Sequence, residues 1–421
     1  MLKIYNIIYL ILLILFFPKE YFKRPKCNRR RWLYERTGFY SKKPKHASEP
    51  TLWIHAVSVG ETIAIIPLVR KLRQEITANI VISTVTDTGQ EIAKRRTDGL
   101  GVTVVYAPFD TPFAVQRGIW AFRPDIFIVM ETELWPATLA TMKKNSIPVL
   151  LLNGRISDKS FKGYRTIKFF MEQVLKNIEV FAMQDETYVN KIVQLGAPQQ
   201  KTKAIGNLKY DIKPSGTMPK WAWAVTGKRI IIAGSTHEGE EGFIIDNYIK
   251  LMEEIPDMLL IIAPRHPERF DAVCKLIEAK HIKYERASNI GMELYDVKVV
   301  VLDSVGELAN VYGLGEICII GGSFIPKGGQ NLLEPAYWQK PIICGPYMFN
   351  FPMVEEFLKA DAAIMVKTSN EFYTVIKALL TDEHRQQEMG KRANNIYKKN
   401  AGTIERAYGE VVNILKIKEK R

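Results

Sequence analysis

Several charged side chains directly follow apolar, strand-like runs, the position at which open α/β sheets bind ligands. Glu61 ends such a run at residues 52–62, where a helix begins. Glu131 and Glu133 follow the apolar run 126–130. An acid at a helix start can be a solvated residue that the helix dipole stabilises, and for Glu61 alone that reading stays open. Two acids directly behind a buried strand favour a functional site.

Cations occupy comparable positions and predict recognition of a phosphate. Lys209 lies in Gly206-Asn-Leu-Lys-Tyr-Asp211, between the two halves of the chain. Arg265 and His266 end the apolar run 259–263, and arginine suits bidentate phosphate binding. Ser235 lies in a small-residue turn whose N–H groups could hold a phosphate, or whose hydroxyls could cap the next helix.

A glycine-rich loop, residues 319–335, carries Gly322 and Ser323 before a helix that starts near Glu334. Glycine allows a ligand to approach the backbone closely, and a carboxylate at the helix start can accept sugar hydroxyls. The six histidines are scattered and there is no Asp-x-Asp, so no metal is expected. The four cysteines, also far apart, are expected to be free thiols. A Walker loop and a dinucleotide fingerprint are absent.

The body alternates strand-like runs with amphipathic helices, and its continuous apolar strands predict parallel α/β sheets covered on both faces. We expect two doubly wound, Rossmann-like halves that face a cleft. The predicted strands are 51–56, 79–85, 102–106, 125–130, 148–153, 180–184 and 202–205, then 229–233, 258–263, 297–302, 317–320, 341–344 and 362–366. The predicted divisions are a membrane anchor (1–22), a basic membrane-proximal segment (23–49), an N-terminal domain (50–210), a linker (211–227) and a C-terminal domain (228–421).

The N-terminal end indicates a membrane. Residues 1–45 hold twelve Lys and Arg against two acids, so they carry +10 of the net charge of +14. The apolar run 4–17 precedes most of these cations and no small-residue cleavage site follows it. We therefore expect an uncleaved anchor, spanning or interfacial, with the body in the cytoplasm. Without a groove-reading motif, nucleic acid is not an expected partner.

A second basic segment follows the fifth predicted strand. Its cations are Arg155, Lys159, Lys162, Arg165 and Lys168, and four aromatic residues lie among them. This pattern is typical either of a solvated helix face or of a surface that docks phosphates and acyl chains at a membrane.

Taken together, the motifs resemble those of the 3-deoxy-D-manno-octulosonic acid (Kdo) transferases over essentially the whole chain. They are Tyr34-Glu-Arg-Thr-Gly38, His55-Ala-Val-Ser-Val-Gly-Glu61, Glu131-Thr-Glu-Leu-Trp-Pro136, Gly206-Asn-Leu-Lys209, Ala263-Pro-Arg-His-Pro267 and the loop 321–335. The resemblance implies a GT-B glycosyltransferase, inverting and metal-independent, that moves Kdo from CMP-Kdo to a lipid A precursor at the inner membrane.

The resemblance also implies roles for individual residues. Glu61 would be the general base, and Glu131 and Lys209 would stabilise the transition state. The residues that would contact CMP are Pro264, Arg265, Gly306, Glu307, Leu308, Asn331, Leu332, Leu333 and Glu334. Ser235, His266, Gly322 and Ser323 are expected as further donor contacts, and Arg155, Lys159, Lys162 and Arg165 as an acceptor or membrane patch. Two alternatives stay open at this point: a GT-B transferase that uses a UDP-sugar and a lipid, and a non-enzymatic basic membrane or nucleic-acid binder.

Overall fold

The computed structural model of the chain describes residues 1–41, 48–211, 213–255, 257–291 and 293–419. Two compact units are present: unit 1 is Met1–Asp211 with Gly402–Arg421, and unit 2 is Ile212–Ala401. Residues 42–47 of the expected basic segment, which include Lys42, Lys43 and Lys45, and residue 212 of the expected linker lie outside the described residues.

Unit 1 is built on a seven-stranded parallel sheet of order β3-β2-β1-β4-β5-β6-β7. Along β1, Leu52 and Ile54 face one core and Trp53 faces the other, so both faces of the sheet are covered. The strands are β1 (Thr51–His55), β2 (Asn79–Thr84), β3 (Thr103–Tyr106), β4 (Ile126–Met130), β5 (Val149–Gly154), β6 (Val180–Met183) and β7 (Thr202–Ala204).

Helices cover both faces of this sheet. They are α1 (Leu2–Phe22), α2 (Lys26–Arg36), α3 (Val59–Glu75), α4 (Asp87–Arg96), α5 (Pro112–Phe122), α6 (Pro136–Lys144), α7 (Asp158–Thr166), α8 (Lys168–Leu175) and α9 (Glu186–Gln194). Two short 3₁₀ helices, Gln199–Lys201 and Leu208–Tyr210, flank β7.

Unit 2 has a second seven-stranded parallel sheet, of order β10-β11-β9-β8-β12-β13-β14. Its strands are β8 (Arg229–Thr236), β9 (Met258–Pro264), β10 (Tyr284–Arg286), β11 (Val299–Val301), β12 (Ile317–Ile320), β13 (Ile342–Cys344) and β14 (Ala363–Met365). Its helices are α10 (Glu241–Glu254), α11 (Phe270–Glu278), α12 (Leu308–Val311), α13 (Leu333–Tyr337), α14 (Val354–Lys359), α15 (Ser369–Thr381) and α16 (Glu383–Asn400). Four 3₁₀ helices, Lys220–Val225, Pro267–Arg269, Ala287–Asn289 and Tyr312–Leu314, complete unit 2.

The two parallel sheets confirm the predicted α/β class with two doubly wound units. Thirteen of the fourteen strands coincide with predicted ones, with ends that differ by at most three residues. The missed strand, β10, has the polar sequence Tyr-Glu-Arg and lies at the edge of its sheet. A strand at the edge of a sheet that is only partly buried needs no continuous apolar run. The sequence of β10 therefore carried no strand signal.

The last helix, α17 (Thr403–Glu419), belongs to unit 1. The expected boundary assigned residues 402–421 to the C-terminal domain, and the structure corrects this. Ala407, Val411 and Ile414 pack into the core on one face of the first sheet, and Asp211 accepts hydrogen bonds from the N–H groups of Gly402 and Ile404. The amphipathic pattern of α17 predicted a buried face but could not say against which sheet it packs.

The expected linker is also more structured than predicted. The 3₁₀ helix Lys220–Val225 places Trp221 and Val225 in a core of unit 2, against Ile230 and Leu259. Residues 220–225 are therefore part of unit 2 and not a free connection.

Helix α1 is long and apolar enough to cross a membrane, with a mean hydropathy of 1.8 over its most apolar window. One stripe of this helix nevertheless packs on unit 1: Tyr9, Leu13, Phe17 and Tyr21 contact a core formed by Trp32, Tyr106 and Phe109. The opposite face, which includes Ile7, Ile11, Ile14 and Leu15, is exposed. The helix thus has one face docked on protein and one apolar face free for lipid.

We expect Ile414→Ala to destabilise unit 1 by about 2–4 kcal/mol, because it leaves a cavity beneath the first sheet. Hydrogen exchange of the amides in β1 and β4 should quicken, while exchange in β8 and β12 should not. Asn413→Ala, one residue earlier on the exposed face of α17, is the matched control. Faster exchange confined to β8 and β12 would contradict the assignment of α17 to unit 1.

Candidate active site

The strand order reverses between β1 and β4 in unit 1 and between β8 and β12 in unit 2. Ligands of doubly wound sheets bind outside the carboxyl ends of the strands at this reversal. Glu61 follows β1 and Glu131 follows β4, whereas Ser235 ends β8 and Gly322 follows β12. The fold therefore brings these four sequence-predicted residues to the switch points of their units.

Glu61 is a buried carboxylate fixed at the first turn of α3. Its two oxygens accept hydrogen bonds from the Val57 N–H and the Ser58 hydroxyl, both at 2.8 Å, and its own N–H donates to the Ser58 hydroxyl oxygen at 3.3 Å. This reciprocal pattern is a capping box. Burial raises the pKa of Glu61, and the hydrogen bonds from Ser58 and Val57 oppose that rise. Glu61 is thus a buried helix-end acid whose two carboxylate oxygens are both fixed by hydrogen bonds.

Glu131 lies between two cations at the end of β4. One oxygen accepts from Lys209 Nζ at 2.9 Å and the other from Arg155 Nε at 2.6 Å. Only 9% of the Glu131 side chain is exposed, and a carboxylate so buried requires such partners. The backbone of Glu131 has φ of +52°, a strained value for a residue with a side chain. Glu131, Lys209 and Arg155 taken alone carry one positive charge.

Lys209 is held in place by polar contacts behind its short 3₁₀ helix. The Leu208 N–H donates to Asn153 Oδ1 at 2.9 Å, and Asn207 Oδ1 accepts from the N–H of Lys209 at 3.0 Å. Asn153 is fully buried and has φ of +57°. Lys209 Nζ also lies over Gly60, beside the start of α3. The ammonium therefore lies beside the first turn of α3 and is paired with Glu131.

Glu133 is a third carboxylate in this cluster, one that the sequence placed after a strand but to which it gave no role. Its Oε2 accepts from Trp135 Nε1 at 3.0 Å. Burial and then the charge of Glu61 raise the pKa of Glu133 to about 7, with a smaller contribution from Glu131. The sequence signal was the acid-x-acid spacing directly after a buried strand.

The basic-aromatic segment divides into two parts. Arg155 is directed toward Glu131 and forms part of the carboxylate cluster. Lys159, Lys162 and Arg165 are exposed on α7, as is Lys168 on α8. The aromatic residues of the segment differ: Phe161, Tyr164 and Phe170 pack against a core of unit 1, whereas Phe169 is 66% exposed. Phe170 also stacks on Tyr5 of α1, with ring centroids 6.0 Å apart, so this segment adjoins the apolar helix.

In unit 2 the buried Glu240 connects the two loops at the switch point. Its carboxylate accepts from the His237 N–H at 2.9 Å, from the Gly322 N–H at 2.5 Å and from the Phe324 N–H at 3.4 Å. Burial raises the pKa of Glu240 to about 7 despite these bonds. The sequence motif showed only an acidic helix start, and did not single out this residue.

A cluster of cations surrounds this pair of loops. The rings of His237 and His266 lie 5.3 Å apart, and Gln330 contacts His237 Nε2 at 3.3 Å. Burial lowers the pKa of His237, and the neighbouring His266, Lys327, Arg265 and Arg269 lower it further. Arg269 is paired with Glu238 and Glu241. Arg265 and His266 are exposed, so the charge of Arg265 is available to an anion. Lys327 is a further cation that sequence reasoning did not select.

Glu334 lies close enough to Arg265 for the charge of the guanidinium to act on it. Burial raises the pKa of Glu334 to about 7, whereas a hydrogen bond with Asn331 and the charge of Arg265 oppose that rise. Leu332 and Leu333 are fully buried, so their side chains belong to the core.

For the remaining residues that are expected to contact the donor substrate, the structure shows fewer contacts with Arg265 and Glu334. Pro264 is the buried end of β9. Glu307 accepts from the Ser304 hydroxyl at 2.5 Å and from Trp221 Nε1 at 3.4 Å, next to Gly306 and Leu308. Among the described residues, no hydrogen bond or ion pair joins Glu307 to Arg265 or Glu334.

Two loop residues take positive φ values, +57° at Ser235 and +65° at Gly322. The Ser323 hydroxyl is buried, where it donates to the Ile320 carbonyl and accepts from the Gly345 N–H. Ser323 therefore serves the fold through its hydroxyl and offers a ligand only its backbone.

Across the parts of the chain that the structure describes, no group of three or more His, Cys, Asp and Glu side chains is arranged to hold a metal ion. The four cysteines are free, three of them buried.

Comparison with known proteins points to one family. Residues 31–212 match the family described as 3-deoxy-D-manno-octulosonic-acid transferase (kdotransferase). A 3-deoxy-D-manno-octulosonic acid transferase of Haemophilus influenzae is 34% identical over 395 residues, 91% of this chain and 91% of its own. The protein of the same name from Bordetella pertussis is 30% identical over 367 residues, 84% of this chain and 85% of its own.

Among solved structures, a glycosyltransferase of Rickettsia africae has a TM-score of 0.53 at 15% identity, with 89% of this chain and 100% of that chain covered. At this identity the likeness concerns the fold alone. Together with the two seven-stranded parallel sheets, it confirms the predicted GT-B fold class.

We expect Glu240→Gln to alter the pH dependence of stability. The folded state raises the pKa of Glu240 from its ordinary 4.5 to about 7, so the wild type loses stability relative to the variant as pH rises through that window. The loss should approach about 3 kcal/mol, at about 1.36 kcal/mol per pKa unit. Urea unfolding between pH 4 and pH 8 measures it. Glu238→Gln, an exposed acid of the same turn, is the control; parallel profiles for both variants would contradict the assignment.

Proposed function

The chain belongs to the Kdo transferase family of glycosyltransferases, and from this premise we propose that it transfers Kdo from CMP-Kdo to a hydroxyl of the lipid A precursor lipid IVA. The observation that carries the proposal is Glu61. A buried carboxylate with a raised pKa, held by the Val57 N–H and the Ser58 hydroxyl, is a suitable base for a hydroxyl.

In the proposed step, a Glu61 oxygen takes the proton of the acceptor hydroxyl as that hydroxyl oxygen attacks the anomeric carbon of Kdo. The bond between that carbon and the phosphate oxygen breaks, and its electron pair leaves with CMP. Attack from the face opposite the leaving group inverts the anomeric centre. The capping box supports this role because it fixes the carboxylate before the substrate arrives.

We propose that Glu131 and Lys209 stabilise the transition state as one unit. Glu131 neutralises only one of its two cationic partners, so Glu131, Lys209 and Arg155 together keep one positive charge, with the carboxylates of Glu61 and Glu133 near them. A fixed positive charge lowers the energy of negative charge that develops during transfer. The carboxylate of Glu131 in turn restricts the flexible ammonium of Lys209 to one position.

For the donor, we propose that unit 2 binds CMP-Kdo. The exposed Arg265 and His266, with Lys327 nearby, form a cationic group suited to the phosphate. Gly306, Glu307, Leu308 and the segment 331–334 would contact the rest of CMP, as the family resemblance implies. These cations can take up the charge of the departing CMP, which supports the further proposal that transfer needs no metal.

We propose attachment to the cytoplasmic face of the inner membrane. The exposed apolar face of α1 and the exposed Phe169 support contact with acyl chains. The exposed cations of α7 suit acidic headgroups or the phosphates of the acceptor.

The activity is tested by incubating the full chain with CMP-Kdo and detergent-dispersed lipid IVA and weighing the products by mass spectrometry. We expect the mass of lipid IVA to increase by whole Kdo residues, with and without EDTA. UDP-sugars in place of CMP-Kdo should give no product. Transfer from a UDP-sugar, or no transfer from CMP-Kdo, would refute the proposed donor, and dependence on a divalent ion would refute the metal-free step.

Glu61→Gln should reduce transfer at least about a hundredfold, because the amide cannot accept the hydroxyl proton. Binding of CMP, measured by calorimetry, should stay unchanged because the substitution lies in unit 1. Glu75→Gln, at the exposed end of the same helix, is the matched control. Near-normal turnover of the Glu61 variant would remove Glu61 as the base.

A further inference from the structure

Helix α1 makes specific polar contacts with unit 1 that a detachable anchor would not need. The Tyr5 hydroxyl donates to Asp110 Oδ2 at 2.7 Å, and the Asp110 N–H donates to the Tyr9 hydroxyl at 3.1 Å. Asp110 is 3% exposed, so Tyr5 is a partner of a buried carboxylate. Lipid contact alone would favour aliphatic side chains at both positions.

Asp110 in turn caps helix α6 from outside. Its carboxylate accepts from the N–H groups of Ala137 and Thr138, at 3.2 and 2.7 Å, and from the Thr138 hydroxyl at 2.7 Å. The helix has no cap of its own, because its N-cap residue is Trp135. The first N–H groups of a helix have no hydrogen-bond acceptor within the helix. The carboxylate of Asp110 is the acceptor for two of them.

Helix α6 begins directly behind the acidic turn of the candidate site. Trp135 holds Glu133 through its indole N–H, and Glu131 lies two residues before Glu133. A cavity of about 20 Å³, room for about one water molecule, separates Tyr9 of α1 from Trp135 and His55. A continuous chain of contacts thus runs from α1 through Asp110 to the carboxylates.

We propose that Tyr5 is a positioning residue which, through Asp110 and the start of α6, sets the geometry of the turn that carries Glu131 and Glu133. Docking of α1 is then part of the catalytic apparatus, in addition to any role in membrane attachment. The inference rests on the proposed function, in that turnover is read as Kdo transfer. The contacts themselves are independent of the reaction.

The test is Tyr5→Phe, which removes one hydroxyl and keeps the aromatic ring. The control is Tyr21→Phe on the same stripe of α1: Tyr21 stacks on Phe17, and its hydroxyl makes no hydrogen bond to the described residues. Both variants keep the apolar character of the helix, so both should float equally with vesicles of anionic phospholipid.

On detergent-dispersed lipid IVA, we expect Tyr5→Phe to lower kcat about tenfold with KM for CMP-Kdo unchanged, because displaced catalytic groups slow the step without affecting donor binding. Tyr21→Phe should match the wild type. Hydrogen exchange of the Ala137 and Thr138 amides should quicken only in Tyr5→Phe, a readout that needs no activity. If the wild type transfers no Kdo, the proposed function fails while the exchange result stands.

Equal kcat for the two variants would overturn the positioning role, whatever the exchange rates. Equal exchange at Ala137 and Thr138 in the wild type and Tyr5→Phe would overturn it as well, because the hydroxyl would then not support the cap. A loss of kcat that appears only on vesicles, together with a loss of flotation, would assign Tyr5 to membrane attachment and reject the inference.

Discussion

The buried charge of Glu131 is the constraint on which the arrangement of unit 1 depends. A carboxylate that is taken out of water requires partners, and unit 1 supplies Lys209 and Arg155. Glu131 follows β4, Arg155 follows β5 and Lys209 follows β7, so one carboxylate connects the ends of three strands. Lys209 also lies over Gly60, so the same pairing places a cation beside the first turn of the helix that carries Glu61.

Unit 2 also contains a buried carboxylate, and its hydrogen-bond donors are neutral. Glu240 is as deeply buried as any acid of the described chain, and three backbone N–H groups, from the two loops at the switch point, satisfy it. The two loops at this switch point are therefore held together by a carboxylate that is itself buried. In both units, an acid that would be costly to bury alone fixes the loops that form the site.

The two ends of the chain both complete unit 1. Helix α17 fills the core beneath one face of the sheet, and Asp211 caps its start, close in sequence to Lys209. Helix α1 contacts Asp110, which caps α6 behind the acidic turn. Segments that look peripheral in the sequence thus support the two sides of the same carboxylate cluster.

The sequence by itself determined the strands, the α/β class and the residues at the strand ends, because buried parallel strands leave continuous apolar runs and because ligand-binding loops follow them. It also brought Glu61, Glu131, Lys209 and Arg265 to attention through short motifs. Edge strand β10 was not predicted, because its polar residues are not buried on both faces.

Only the tertiary structure decided which groups, distant from one another in the sequence, bind the same carboxylate. It paired Glu131 with Lys209, 78 residues later, and assigned α17 to unit 1. It also gave roles to Glu133, Glu240 and Asp110. Their positions depend on long-range hydrogen bonds, and hydropathy periodicity carries no information about which donor meets which acceptor across a sheet. The physical reason is that local sequence sets which face of an element is buried, whereas the partner of a buried charge is set by the packing of elements remote in the chain.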